Sequence, residues 1–139
     1  MISLAKILLT VAAIQYGAVP LIVDLTESHV FHPDWPPHAR FHMVWLLGVG
    51  ALLAIYTLAL IWGPGKSDIR QLRHASVLGC LTLAAFFSAT FLAGSYGGSL
   101  SDMETPIRVM GVDGNLFAFS VAAILQGLGT GIVWTRRHL

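Results

Sequence analysis

The chain has 139 residues, 55% of them hydrophobic and 11% charged, where a soluble domain carries about 25% charged residues. Eight Lys and Arg against seven Asp and Glu leave a net charge of +1, with a pI near 8.0 and a mean hydropathy of +0.73. An ordinary soluble domain is excluded, and no basic surface is left for nucleic acid. The single cysteine, Cys80, excludes an intramolecular disulfide, a CxxC redox pair and a cysteine metal cluster.

Four apolar stretches, residues 7–23, 41–62, 75–95 and 115–135, approach or exceed the roughly 20 residues that a helix needs to cross a bilayer core. None carries Lys, Arg, Asp or Glu in its interior. In hydrocarbon a helix satisfies its own backbone polar groups, so the expected fold is an all-α integral-membrane four-helix bundle in one domain. The first stretch, with Lys6 ahead of it, also has the make of a signal peptide, but it is read here as a span.

Charge sorts by sign between the connections. Lys6, Lys66, Arg70, Arg73, Arg136 and Arg137 flank one side, whereas Arg40 and Arg108 alone lie on the other. The positive-inside rule then places both termini in the cytoplasm, with the plasma (inner) membrane as the expected residence. Asp24, Glu27, Asp34, Asp102, Glu104 and Asp113 gather on the outer side.

The first connection is the richest in chemistry. Between Asp24 and His42 lie four histidines (His29, His32, His38, His42), three acids and Arg40. Pro33, Pro36 and Pro37 forbid a continuous helix, so a rigid, folded-back outer loop is expected, with helix two entered from Pro37. His38 and His42, four apart, then share a helix face.

Three readings compete. As a metal site, His29, His32, His38 and His42 with a carboxylate would suit zinc, iron or copper, although the H-E-x-x-H order is absent. As an acid–base site, Asp24 or Glu27 with His29, His38 or His42 would move a proton on a bound substrate, and Arg40 would orient a carboxylate or steady negative charge. As a structural cap, the same groups bond one another, with Trp35 and Trp45 as interfacial anchors. His74 and His138, on the opposite side, read as solvated interfacial residues.

Polar groups within the spans offer either helix–helix hydrogen bonds or a ligand cavity. Gln15, Tyr16, Tyr56 and Gln126 are the candidate ligand contacts, together with Trp35 and Trp45, and Phe86, Phe87 and Phe91 are candidate lining. Gly127 and Gly131 form a G-x-x-x-G pair suited to packing within the chain or between subunits. The third connection, with Gly97, Gly98, Gly111 and Gly114 as bends, can act as a lid whose Asp102, Glu104, Arg108 and Asp113 reach the histidines.

The stretch S-H-V-F-H-P-D-W-P-P-H-A-R-F-H, residues 28–42, resembles a family of small bacterial and fungal four-helix membrane proteins of uncharacterised function. Their signature reads roughly T-H-x-F-N-P-x-W-P-P-H-A-R-F-H after the first span. The match carries His29, Phe31, Pro33, Trp35, Pro36, Pro37, His38, Ala39, Arg40, Phe41 and His42, while His32 stands where that family has asparagine. The resemblance implies a shared outer-face site. Architecture alone is also similar to sterol-isomerase-like four-helix membrane proteins, whose bundle holds a sterol-sized ligand.

The expected function is a membrane enzyme of isomerase or cyclase type acting on a lipophilic small molecule. Such chemistry needs no cofactor, although a divalent metal would fit the histidines. The alternatives are a non-catalytic subunit or ligand-binding module of a homo-oligomer or larger membrane complex, and a metal-dependent oxidoreductase or hydrolase.

Overall fold

The structure is a computed structural model that describes residues 2–63, 68–101 and 106–135. Of the residues singled out above, Lys66, Asp102, Glu104, Arg136, Arg137 and His138 lie outside the described residues. Four helices make up the bundle: α1 (Ile2–Asp24), α2 (Pro37–Trp62), α3 (Ile69–Tyr96) and α4 (Gly114–Thr135). All four are long and apolar enough to cross a membrane. The 23 residues of α1 rise about 34 Å, against a hydrocarbon core of about 30 Å.

Each helix begins at or before the start of its apolar run. Backbone pairing continues through polar turns, and local caps set the ends. Pro37 opens α2, where a missing N–H costs nothing. Asp68 caps α3 by accepting from Arg70 N, and Gly97 closes it in the left-handed conformation with φ 71°. Hydropathy alone cannot see these polar turns, which places α3 six residues earlier than its apolar stretch suggests.

The helices alternate in direction around a ring. α1 packs on α2 and α4, α3 does likewise, and α1 also touches α3 across the centre. The packing is small-inside. Ala5, Ala12, Ala13, Ala54, Ala75 and Ala122 are buried, whereas Leu52, Ile55, Leu81 and Ile124 lie exposed on the outside. The small side chains let the backbones approach, and Leu9, Ile61, Leu72 and Val133 fill the space between them. Gly17, Gly79 and Gly129 mark the tightest approaches: a Cβ on Gly17 would collide with Ala54, and one on Gly129 would crowd Leu9.

At the end bearing Lys6, Arg70 and Arg73, two tryptophans tie neighbouring helices. Trp62 Nε1 donates to Thr10 Oγ1 at 2.7 Å and Trp134 Nε1 to Ser76 Oγ at 3.0 Å. Lys6 lies over the Trp62 ring at 4.8 Å, and Arg73 over that of Trp134 at 5.3 Å. Both rings therefore anchor a cation as well as a helix end.

The third connection contains an element that the helical reading did not anticipate. β1 (Arg108–Val109) and β2 (Val112–Asp113) pair antiparallel around Met110 and Gly111. Both turn residues have positive φ, 53° and 83°, as a two-residue hairpin turn of primed type requires. Asp113 ends the hairpin and caps α4, accepting from Asn115 N at 2.9 Å and Leu116 N at 3.1 Å. Ser101 Oγ donates to the same carboxylate, and Arg108 Nη1 reaches Gly111 O. These contacts hold Arg108 and Asp113 within their own connection instead of turning them toward the histidines.

Candidate functional site

The α1–α2 loop occupies the opposite end from Lys6 and Arg73. Proline prevents helix here, and overlapping turns supply the backbone bonds instead: Val30 N donates to Asp24 O, His29 N and Phe31 N to Thr26 O, and Trp35 N to His32 O. Val30 is 4% exposed and pins the loop to the bundle. Arg40, in the first turn of α2, reaches back over the loop. Its Nε donates to Trp35 O at 3.1 Å, and its Nη2 to His32 O at 2.6 Å and Pro33 O at 3.0 Å. A planar guanidinium suits three carbonyls in an arc, so Arg40 staples the loop and is not aimed at an open site.

The histidines divide into separate groups. His29 stands beside Asp24, with Nε2 at 3.9 Å from Oδ1, and the two side chains are 24% and 23% exposed. Its other nitrogen, Nδ1, lies 2.9 Å from Ser28 Oγ, which lies 3.1 Å from Thr26 Oγ1. Thr26 donates to Val23 O at 2.8 Å. Each hydroxyl has one proton, so the chain is directional: Thr26 gives to Val23, Ser28 to Thr26, and His29 Nδ1–H to Ser28. Nε2 is left facing the Asp24 carboxylate at ion-pair range, beyond the reach of a direct hydrogen bond. Thr26 and Ser28 were not among the expected site residues, although the string T-E-S-H contains the needed hydroxyls beside a histidine. Glu27, the alternative carboxylate, is exposed and outside this chain.

His38 and His42 form the second group, with Nε2 atoms 3.0 Å apart on the exposed outer turns of α2. Phe41 and Trp45 flank His42, with ring centroids at 5.7 Å and 5.9 Å. His32 is engaged elsewhere, its Nδ1 accepting from Asp34 N at 3.2 Å. Trp35 lies edge-on to His29 at 6.3 Å. Among the described residues no three His, Cys, Asp or Glu converge to hold one metal, so the four histidines do not make a single ligand cage.

Two shallow grooves open sideways along α2 beside this end. One, of about 310 Å³, is lined by Phe41, Val44 and Trp45; the other, of about 380 Å³, by His42, Trp45, Leu46 and Val49.

The candidate ligand contacts inside the bundle are mostly packing bonds. Tyr16 OH donates to Thr57 Oγ1 at 3.2 Å, and Gln15 Nε2 to Ala118 O. Gln126 Nε2 donates to Ser76 O at 2.8 Å, in a seat left by Gly79. Tyr56 is 57% exposed and Phe91 88% exposed, so both face outward instead of lining an interior cavity. Phe86 stacks on Phe119 at 3.8 Å and joins α3 to α4.

The sequence profile of a family of unknown function (DUF6640) matches residues 8–139. The chain belongs to this family. In this DUF6640 member the match covers α1 from residue 8 onward and the whole of α2, α3 and α4. Comparison with curated proteins and with solved structures returned no match.

Proposed function

We propose that this DUF6640 protein is a multi-pass enzyme of the plasma (inner) membrane, with both termini cytoplasmic, that transfers a proton on a lipophilic small molecule at its outer face. The observation that carries the reading is the directional chain Thr26–Ser28–His29, which turns Nε2 toward the partly buried Asp24 carboxylate. An imidazole and a carboxylate side by side can give a proton to a substrate and take one back, which is the requirement of an isomerase or cyclase that uses no redox partner. The apolar grooves along α2, each lined in part by Trp45, would seat a lipophilic molecule beside this end of the bundle.

The test is proton transfer itself. Purified protein is incubated with a lipid extract in D2O, and extracted molecules are screened by mass spectrometry for deuterium at carbon. Incorporation that depends on the protein and disappears in Asp24→Asn and His29→Gln supports the reading. Equal incorporation in wild type and both variants, or none in any, overturns it.

A second reading, a non-catalytic subunit, is favoured by one observation: Gly127 and Gly131 face outward on α4 with no atom of the chain near an added Cβ. Their face is free for another helix. Mass measurement after gentle extraction decides, since a monomer with no co-purifying chain counts against the subunit.

A further inference from the structure

We propose that His38 and His42 form a two-imidazole chelate for a divalent transition-metal ion of tetragonal preference, Cu2+ foremost. The two Nε2 atoms stand 3.0 Å apart, while the ring centroids are 4.4 Å apart with planes at 89°. The nitrogens are closer than the ring centres, so they lie on the facing sides of both rings. In this structure the two nitrogens are hydrogen bonded, one Nε2–H donating to the other Nε2, and an ion that binds both would replace that proton.

The spacing, set here by the hydrogen bond, lies close to what a chelate requires. With a metal–nitrogen bond of about 2.05 Å, two nitrogens 3.0 Å apart subtend about 94° at the ion. That is the cis angle of a square-planar or tetragonal centre. A tetrahedral ion would need the nitrogens about 3.3 Å apart. Tetragonal nitrogen sites favour Cu2+ and Ni2+, and the general affinity order places Cu2+ above both Ni2+ and Zn2+.

The helix keeps the bite fixed, because residues four apart sit one turn above another. Both histidines are exposed, so an ion reaches them without opening the bundle. No third His, Cys, Asp or Glu joins the pair among the described residues, which leaves the other equatorial positions to water or to an oxygen donor brought by a molecule in the adjoining groove. The site is distinct from the Asp24–His29 couple and does not depend on its chemistry.

The experiment titrates CuCl2 into the full chain, purified in neutral detergent without a histidine tag. Trp45 lies 5.9 Å from His42 and reports occupancy through fluorescence quenching, with electron paramagnetic resonance to count bound imidazoles. Expected is one saturable Cu2+ per chain with two nitrogen ligands, Zn2+ binding at least tenfold more weakly, and at least tenfold weaker Cu2+ binding in His38→Ala and in His42→Ala. The pair His42→Ala with Met43→His keeps the histidine count but breaks the spacing, and is expected to bind as poorly as His42→Ala alone. His74→Ala is expected to bind as wild type. Unchanged affinity in either single variant, or full affinity in the displaced-histidine variant, overturns the proposal. Circular dichroism establishes that each variant keeps its helices, so weaker binding is read as loss of the chelate.

Discussion

Arg40 shows how one side chain converts a proline-rich string into an ordered loop. Its three bonds run to carbonyls that lie five to eight residues earlier in the chain, closing the turn that carries His32 and Trp35. Hydrogen bonds to a charged donor contribute about 1.5–3 kcal/mol each, and partial exposure reduces their sum. Arg40→Ala is expected to destabilise the loop by about 2 kcal/mol, seen as roughly thirty-fold faster amide exchange over residues 29–35 while the helices stay protected. Arg40→Lys is expected to recover little, because an ammonium cannot span the same arc. Exchange rates unchanged in both variants would remove the staple. The same scale explains why the histidines were legible and their roles were not. Residue types and the i, i+4 spacing of His38 and His42 are printed in the sequence, but the pairing of His29 with Asp24 and Ser28 follows from turns that only the folded loop sets.

At the scale of the element, glycine means different things on different faces. Gly79 and Gly129 stand where neighbouring helices meet, whereas Gly127 and Gly131 have open space. Gly79→Ala would press a Cβ into the seated Gln126 amide and is expected to lose about 1–3 kcal/mol. Gly127→Ala and Gly131→Ala are expected to be neutral or to gain up to about 1 kcal/mol from helix propensity, provided that no partner covers them. Unfolding of the three variants in detergent tells the faces apart. Of the two uses expected of the G-x-x-x-G pair, packing within the chain falls to Gly129 between them, against Leu9 and Ala5.

The α4 terminus has a pH dependence of definite sign. Partial desolvation opposes the Asp113 charge, but bonds accepted from Ser101, Leu116 and Asn115 and the charge of Arg108 outweigh it and hold the carboxyl below its usual range. A depressed folded-state value means that its stabilisation is complete above the ordinary carboxylate range and is lost as pH falls through the folded value. Acid titration of helicity is expected to show this loss in wild type and a flatter profile in Asp113→Asn, which keeps the cap without the charge. At neutral pH, Asp113→Ala is expected to cost about 1 kcal/mol as a lost cap. Profiles of wild type and Asp113→Asn that superimpose in acid would contradict the assignment.

For the whole molecule, the alternating helices place the α1–α2 loop and the hairpin at one end and Lys6, Arg70 and Arg73 at the other. The proposed orientation puts the basic end in the cytoplasm. In a Cys80→Ala background, a cysteine at Asp34 is expected to react with a membrane-impermeant maleimide on intact cells, and one at Arg70 only after lysis. The reverse pattern would invert the topology.

Composition and hydropathy by themselves determined the four helices and the loop between the first two, because the bilayer requirement acts on runs of residue type and needs no knowledge of partners. Sequence also marked Asp24, Glu27, His29, His32, His38, Arg40 and His42 as candidate groups for chemistry. Tertiary structure decided which faces turned inward, taking Tyr56 and Phe91 outside and Gln126 within. A helix apolar on every side has no stripe to reveal its buried face. Only contact between helices, and the turns folded by Arg40, could choose the neighbours of each polar atom.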